Sequence, residues 1–140
     1  MKYLFEIIIL LIILFVFLFS SCSPKITKMS QSDLSKYPID TSGVAYNFFD
    51  TDIKIIILKK EVPNYPEEAR KEGAEGIVIV ETIISPEGKV KAVRVEKGVH
   101  PALDEEAMRT AEKCQFQPAI KNGKRVASKL MLPFHFKLDK

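Results

Sequence analysis

The sequence predicts an α+β domain: a small antiparallel sheet of three or four strands with two helices on one of its faces. Three observations carry this. Apolar residues recur on one helical face from Leu103 to Cys114, and the last segment alternates at period two from Ser128 to Leu138. Upstream, two β-branched runs meet at Pro86-Glu87-Gly88, the mark of a hairpin.

Taken in order, Ile53 to Leu58 (IKIIIL) is a short β-branched run and the candidate fourth strand, with Lys54 and the Lys59-Lys60 pair suiting an edge. In VPNYPEEARKEG, Pro66 stands where a helix begins, Glu67 and Glu68 oppose the dipole in its first turn, and Gly73 ends it. Gly76 opens IVIVETIIS, and VKAVRVEK returns after the turn. In HPALDEEAMRTAEKCQF, Leu103, Ala107, Ala111 and Cys114 share a face, the acids come early, and Lys113 comes late, as the macrodipole prefers. Pro118 marks the exit and Lys121-Asn122-Gly123-Lys124 a further turn. The final strand sets Ser128, Leu130, Leu132, Phe134, Phe136 and Leu138 against Lys129, Met131, Pro133, His135 and Lys137. Pro133 has no N–H, so this strand has an unpaired side or sits at a sheet edge.

With 140 residues the chain has room for one ordinary domain, and 46% hydrophobic against 28% charged residues excludes both a disordered tail and a multi-span membrane protein. The net charge of +3 is mixed along the chain, too weak a field to argue for nucleic acid. Residues 7–19 are thirteen unbroken apolar residues, a signal-peptide length and short of a comfortable span. Ser20-Ser21-Cys22 resembles a bacterial lipobox, which makes Cys22 a lipid-attachment residue. The alternative for residues 1–21 is a retained signal anchor. Either way the bulk of the chain is expected on the far side of the cytoplasmic membrane, with a lipid anchor favoured over a transmembrane one. Residues 22–52, rich in Ser, Lys, Thr and Asp, are expected as a flexible tether. Tyr46, Phe48 and Phe49 are more apolar than a tether needs, and suit a segment lying on the domain over residues 53–140.

Several marks then fall in register: Pro63 with Tyr65-Pro66, Ala69-Arg70, Gly73 and Gly76, Pro86 with Gly88-Lys89-Val90, Leu103-Asp104 with Ala107, Phe116 with Pro118-Ala119, Asn122-Gly123, and Pro133 with Phe136. Over residues 62–138 this resembles the C-terminal domain of the TonB energy-transducer family. The marks Tyr65, Pro66, Gly76, Gly88, Phe116, Pro118 and Gly123 read physically as turn, cap and core residues, announcing a fold more than a chemistry. The resemblance implies a non-enzymatic periplasmic module that takes an extended segment of an outer-membrane receptor onto a sheet edge. By resemblance the strand from Arg125 to Lys137 is the receiving edge, with Lys129, Met131, His135 and Lys137 flanking the guest. A full transducer also carries a membrane helix with a Ser/His pair that engages a proton-driven motor. Residues 1–22 contain no His. The expected role is therefore a membrane-tethered TonB-like module serving receptor-linked transport. The alternative is a structural envelope lipoprotein using the fold for protein or cell-wall contact.

No catalytic residue, metal site or cofactor is expected. Cys114 lies on the apolar helical face, where a thiol is packing rather than nucleophile. His100 before Pro101 suits a helix start, and two Cys with two His lack the paired spacing of a zinc site. Ile77, Ile79 and Ile83 alternate with Val78, Val80 and Ile84, so both faces of the first hairpin strand are apolar. The second face is expected to lie under Ile53–Leu58 or Phe48-Phe49; the alternative is contact with a second copy as a homodimer, or with another partner.

Overall fold

A computed structural model describes residues 28–138. The leader over 1–21, Cys22 and the first tether residues lie outside the described residues. The elements, in order, are α1 (Gln31–Leu34), β1 (Ala45–Asn47), a 3-10 turn (Phe48–Asp50), β2 (Ile56–Lys59), α2 (Glu67–Lys71), β3 (Gly76–Ile84), β4 (Val90–Lys97), α3 (Pro101–Glu112), β5 (Gln115–Gln117), β6 (Ala119–Lys121) and β7 (Lys124–Phe136). Among the described residues no helix is long and apolar enough to cross a membrane.

The main sheet runs β1-β7-β3-β4, with β6 also pairing β7. The central pairing is antiparallel, Gly76 opposite Phe136 through Ile84 opposite Ser128. Period two then sends Val78, Val80, Ile84, Leu132 and Phe134 to one face, where all are fully or almost fully buried. Helix α3 lies on that face, and its small residues Ala107 and Ala111 are wholly enclosed beside Leu103. Alanines at the contact let the helix axis come close, so that Phe134 and Leu132 fill the remaining space; each such side chain contributes about 1.5–3 kcal/mol. His100 caps α3, its Nδ1 accepting from the Ala102 N–H at 3.2 Å while Nε2 meets Glu72 at 3.0 Å. The short α2 follows its capping Pro66 and buries Ala69.

Two expectations are corrected. Ile53–Leu58 is not a fourth strand of the main sheet: β2 begins at Ile56 and pairs antiparallel with β5 in a separate two-stranded sheet, while Ile53 bridges Ile120 and Ile55 enters the core. Residues 28–52 are no free tether. Leu34 and Thr51 are buried, the Met29 N–H donates to the Gln117 side chain at 2.7 Å, and β1 joins the main sheet in parallel.

Candidate partner-binding edge

The register of β7 determines which of its backbone groups look outward. On one side it pairs with β6 over Lys124–Val126 and then with β3 over Ser128–Phe136. On the other side Arg125 donates its N–H to Pro38 and accepts from the Asp40 N–H, both at 2.8 Å. The Pro133 carbonyl, eight residues on, accepts from Lys60 Nζ at 3.3 Å on that same side. Strand geometry alternates, so Arg125, Ala127, Lys129, Met131, Pro133 and His135 all direct their backbone polar groups away from β3. β1 takes this side only across Ala127–Lys129. Among the described residues no strand pairs with the outward groups of Met131 and His135, and Pro133 has a carbonyl alone to offer.

The open lane has two shoulders. At Lys129–Met131 the 3-10 turn Phe48–Asp50 and Glu81 enclose a mainly apolar groove of about 500 Å³. At Pro133–His135 the segment Lys60–Pro63 encloses a smaller hollow of about 330 Å³. Their rims carry Lys60 and Lys129 against Asp50 and Glu81, and Phe49 stands 85% exposed beside the first. An extended chain laid here would meet backbone donors and acceptors with an apolar recess at either end.

Residues 61–138 match the family described as Gram-negative bacterial TonB protein C-terminal. The chain belongs to this TonB C-terminal family. It is 35% identical over 100 residues to protein TonB of Vibrio cholerae, covering 71% of this chain and 41% of that protein. To protein TonB of Pseudomonas aeruginosa it is 34% identical over 92 residues, covering 65% of this chain and 26% of that protein. It thus spans well under half the length of these relatives. Among solved structures, the solution structure of the P. aeruginosa TonB C-terminal domain aligns at 32% identity with a TM-score of 0.48, covering 67% of this chain and 94% of that one. That of Helicobacter pylori TonB aligns at 26% with a TM-score of 0.38, covering 55% and 72%.

Within this TonB-family domain, Lys129, Met131 and His135 share the outer face of β7 beside the open lane, and Lys137 is exposed just past the strand's end. Cys22 lies outside the described residues. The family marks sit elsewhere. Tyr65 stacks edge-on against Phe136 at 5.8 Å and donates its hydroxyl to the Ala74 carbonyl. Pro66 caps α2, Gly76 starts β3, Gly88 turns between β3 and β4, Phe116 and Pro118 are buried, and Gly123 turns between β6 and β7. None of these marks lies on the open half of the β7 edge. Tyr46, Phe48 and Phe49 signalled in the sequence a segment lying on the domain, but not the pairing of Ala45–Asn47 with β7 nor the Lys60 contact.

The outer face of the sheet is not roofed as expected. β2 pairs with β5 instead, Phe49 points to solvent, and Ile77 and Met131 remain 42% and 47% exposed. Among the described residues no group of three or more His, Cys, Asp or Glu side chains could hold a metal ion. Cys114 is buried and donates to the Thr110 carbonyl at 3.5 Å.

Proposed function

We propose that this protein is a non-enzymatic, membrane-tethered TonB-like module of the periplasm, anchored at Cys22. It binds an extended segment of an outer-membrane TonB-dependent receptor, or of a related envelope protein, along the open edge of β7. Its place is in energy-coupled transport across the outer membrane. The observation that carries this reading is the half-paired edge: β7 is fixed by β3 over Ser128–Phe136, yet among the described residues the outward groups of Met131 and His135 have no strand partner. Backbone pairing supplies affinity with little demand on guest side chains, while the two recesses select for apolar ones. Lys129, Met131, His135 and Lys137 flank the guest.

The test is titration of the protein with a synthetic peptide carrying a receptor's TonB box, with Met131→Pro as the blocking variant. Proline at 131 removes an N–H that faces away from β3, and the same strand already accepts Pro133, so the fold is expected to persist. The one lost bond is worth about 0.5–1.5 kcal/mol, so affinity is expected to fall about two- to tenfold. Unchanged binding by a folded Met131→Pro would refute edge pairing. Absence of binding altogether would favour an envelope lipoprotein that uses the fold for other contacts.

A further inference from the structure

Residues 37–53 form a strap along β7, on the side away from β3. It is tied in three places. At its start Arg125 exchanges backbone bonds with Pro38 and Asp40, and its Nε donates to the Tyr37 carbonyl at 2.9 Å. In the middle β1 lies parallel to β7, Ala45 opposite Ala127 and Asn47 opposite Lys129. At its end Lys121 Nζ donates to the Asp50 carbonyl at 2.7 Å, the Asn122 N–H donates to the Asp52 carboxylate at 2.6 Å, and Ile53 bridges Ile120. Between the ties the chain turns back through Asp40, whose carboxylate accepts from the Ser42 hydroxyl at 2.8 Å.

The strap holds on by polar contacts and by two aromatic side chains, Tyr46 and Phe48, that pack partly buried against the core. From Tyr37 to Asp50 no residue is buried, and Val44 is 53% exposed. β3, on the opposite side of β7, buries four consecutive inward side chains, Val78, Val80, Thr82 and Ile84. A segment without a fully buried side chain is one that opens locally while the rest stays folded. The strap also occupies a specific place. Of the six outward-facing residues of β7, it covers Arg125, Ala127 and Lys129, and leaves Met131, Pro133 and His135. The open stretch from Met131 to Phe136 is six residues, room for a strand of ordinary length, about five or six residues; a longer guest meets the Phe48–Asp50 turn and β1.

We infer that the strap is an intramolecular competitor for the guest strand: β1 occupies the first half of the lane in which a receptor's extended segment pairs, and full engagement displaces it. This rests on the reading of β7 as the receiving edge. The competition sets a threshold. A short segment gains only the exposed half, whereas a longer one recovers the bonds of Arg125, Ala127 and Lys129 as the strap leaves.

The experiment compares two full-length variants in detergent micelles, probed with the TonB-box peptide. Ala45→Cys with Ala127→Cys places thiols at registered positions of adjacent strands, within reach of a disulfide. Oxidised, it locks the strap; reduced, the same protein serves as its own folding control. Tyr46→Pro removes the N–H at the centre of β1. The oxidised lock is expected to bind about tenfold more weakly than its reduced form, and Tyr46→Pro to bind more tightly than the unmodified chain. The oxidised-to-reduced ratio decides: equal affinities, or tighter binding when locked, overturn the competitor and leave edge pairing standing. No binding by any form, Tyr46→Pro included, overturns the edge reading and the strap's role with it.

Discussion

Gly88 has a φ of +85°, and a Cβ there would stand 2.3 Å from the Phe116 carbonyl oxygen, a backbone atom that cannot swing aside. Gly123 has a similar φ of +68° with open space around it. The pair separates two costs that a glycine motif conflates. Left-handed backbone alone costs an L-residue about 1–2 kcal/mol. Gly123→Ala is therefore expected to lose about that much stability in urea unfolding, with the neighbouring Asn122, at φ 50°, showing that the hairpin tolerates a side chain in this region. Gly88→Ala adds displacement of the β5 backbone, and about 3 kcal/mol is expected. Equal losses for the two would show that the close approach carries no energy. Both glycines were legible in the sequence as turn residues beside Pro86 and Asn122. The carbonyl facing Gly88 was not, because it arrives from 28 residues away through the packing of Phe116.

Elements with a sustained period could be read directly; those made by pairing could not. Helix α3 declared itself through Leu103, Ala107 and Ala111, and β7 through its alternation to Phe136, because each repeats its signal over several turns or pleats. β1, β5 and β6 have three residues each, too few to show a period, and exist because β7 or β2 offers them a ladder. The same reason undid the assignment of Ile53–Leu58: its β-branched composition marked a strand, but which sheet receives it is a tertiary matter. One side chain joins the legible and the illegible parts. Glu106 on α3 is buried, and its carboxylate accepts from the Asn64 N–H at 3.1 Å and from Arg109 at 3.2 Å. It thereby holds the loop whose residues Lys60–Pro63 form one shoulder of the open edge. Glu106→Ala leaves that N–H without its acceptor, and a loss of about 1–3 kcal/mol is expected in thermal or urea unfolding. Glu106→Gln keeps an acceptor and is expected to lose less. A glutamine variant as unstable as the alanine one would assign the role to charge instead.

For the whole molecule, the folding of residues 28–52 onto the domain changes what a lipid anchor at Cys22 would do. A free tether from Ser23 to Asp52 would reach on the order of 100 Å at full stretch. With Met29 already bonded to Gln117, seven residue steps separate Cys22 from the domain surface, at most about 25 Å. The ties at Met29 and the buried Leu34 lie upstream of the strap, so the domain would stay near its membrane whether the strap is seated or displaced. This short reach requires that the chain be held at Cys22. Protein extracted from its native membranes is expected to begin at an acylated Cys22, with the mass of residues 22–140 plus the lipid, and Cys22→Ala is expected to lose both the lipid and the cleavage. Were the isolated protein to retain Met1 to Ser21, the anchor would be the apolar stretch itself. The membrane attachment would then lie within residues 7–19, the tether between that span and Met29 would still be short, and an engagement with a proton-driven motor through the membrane would regain its physical basis.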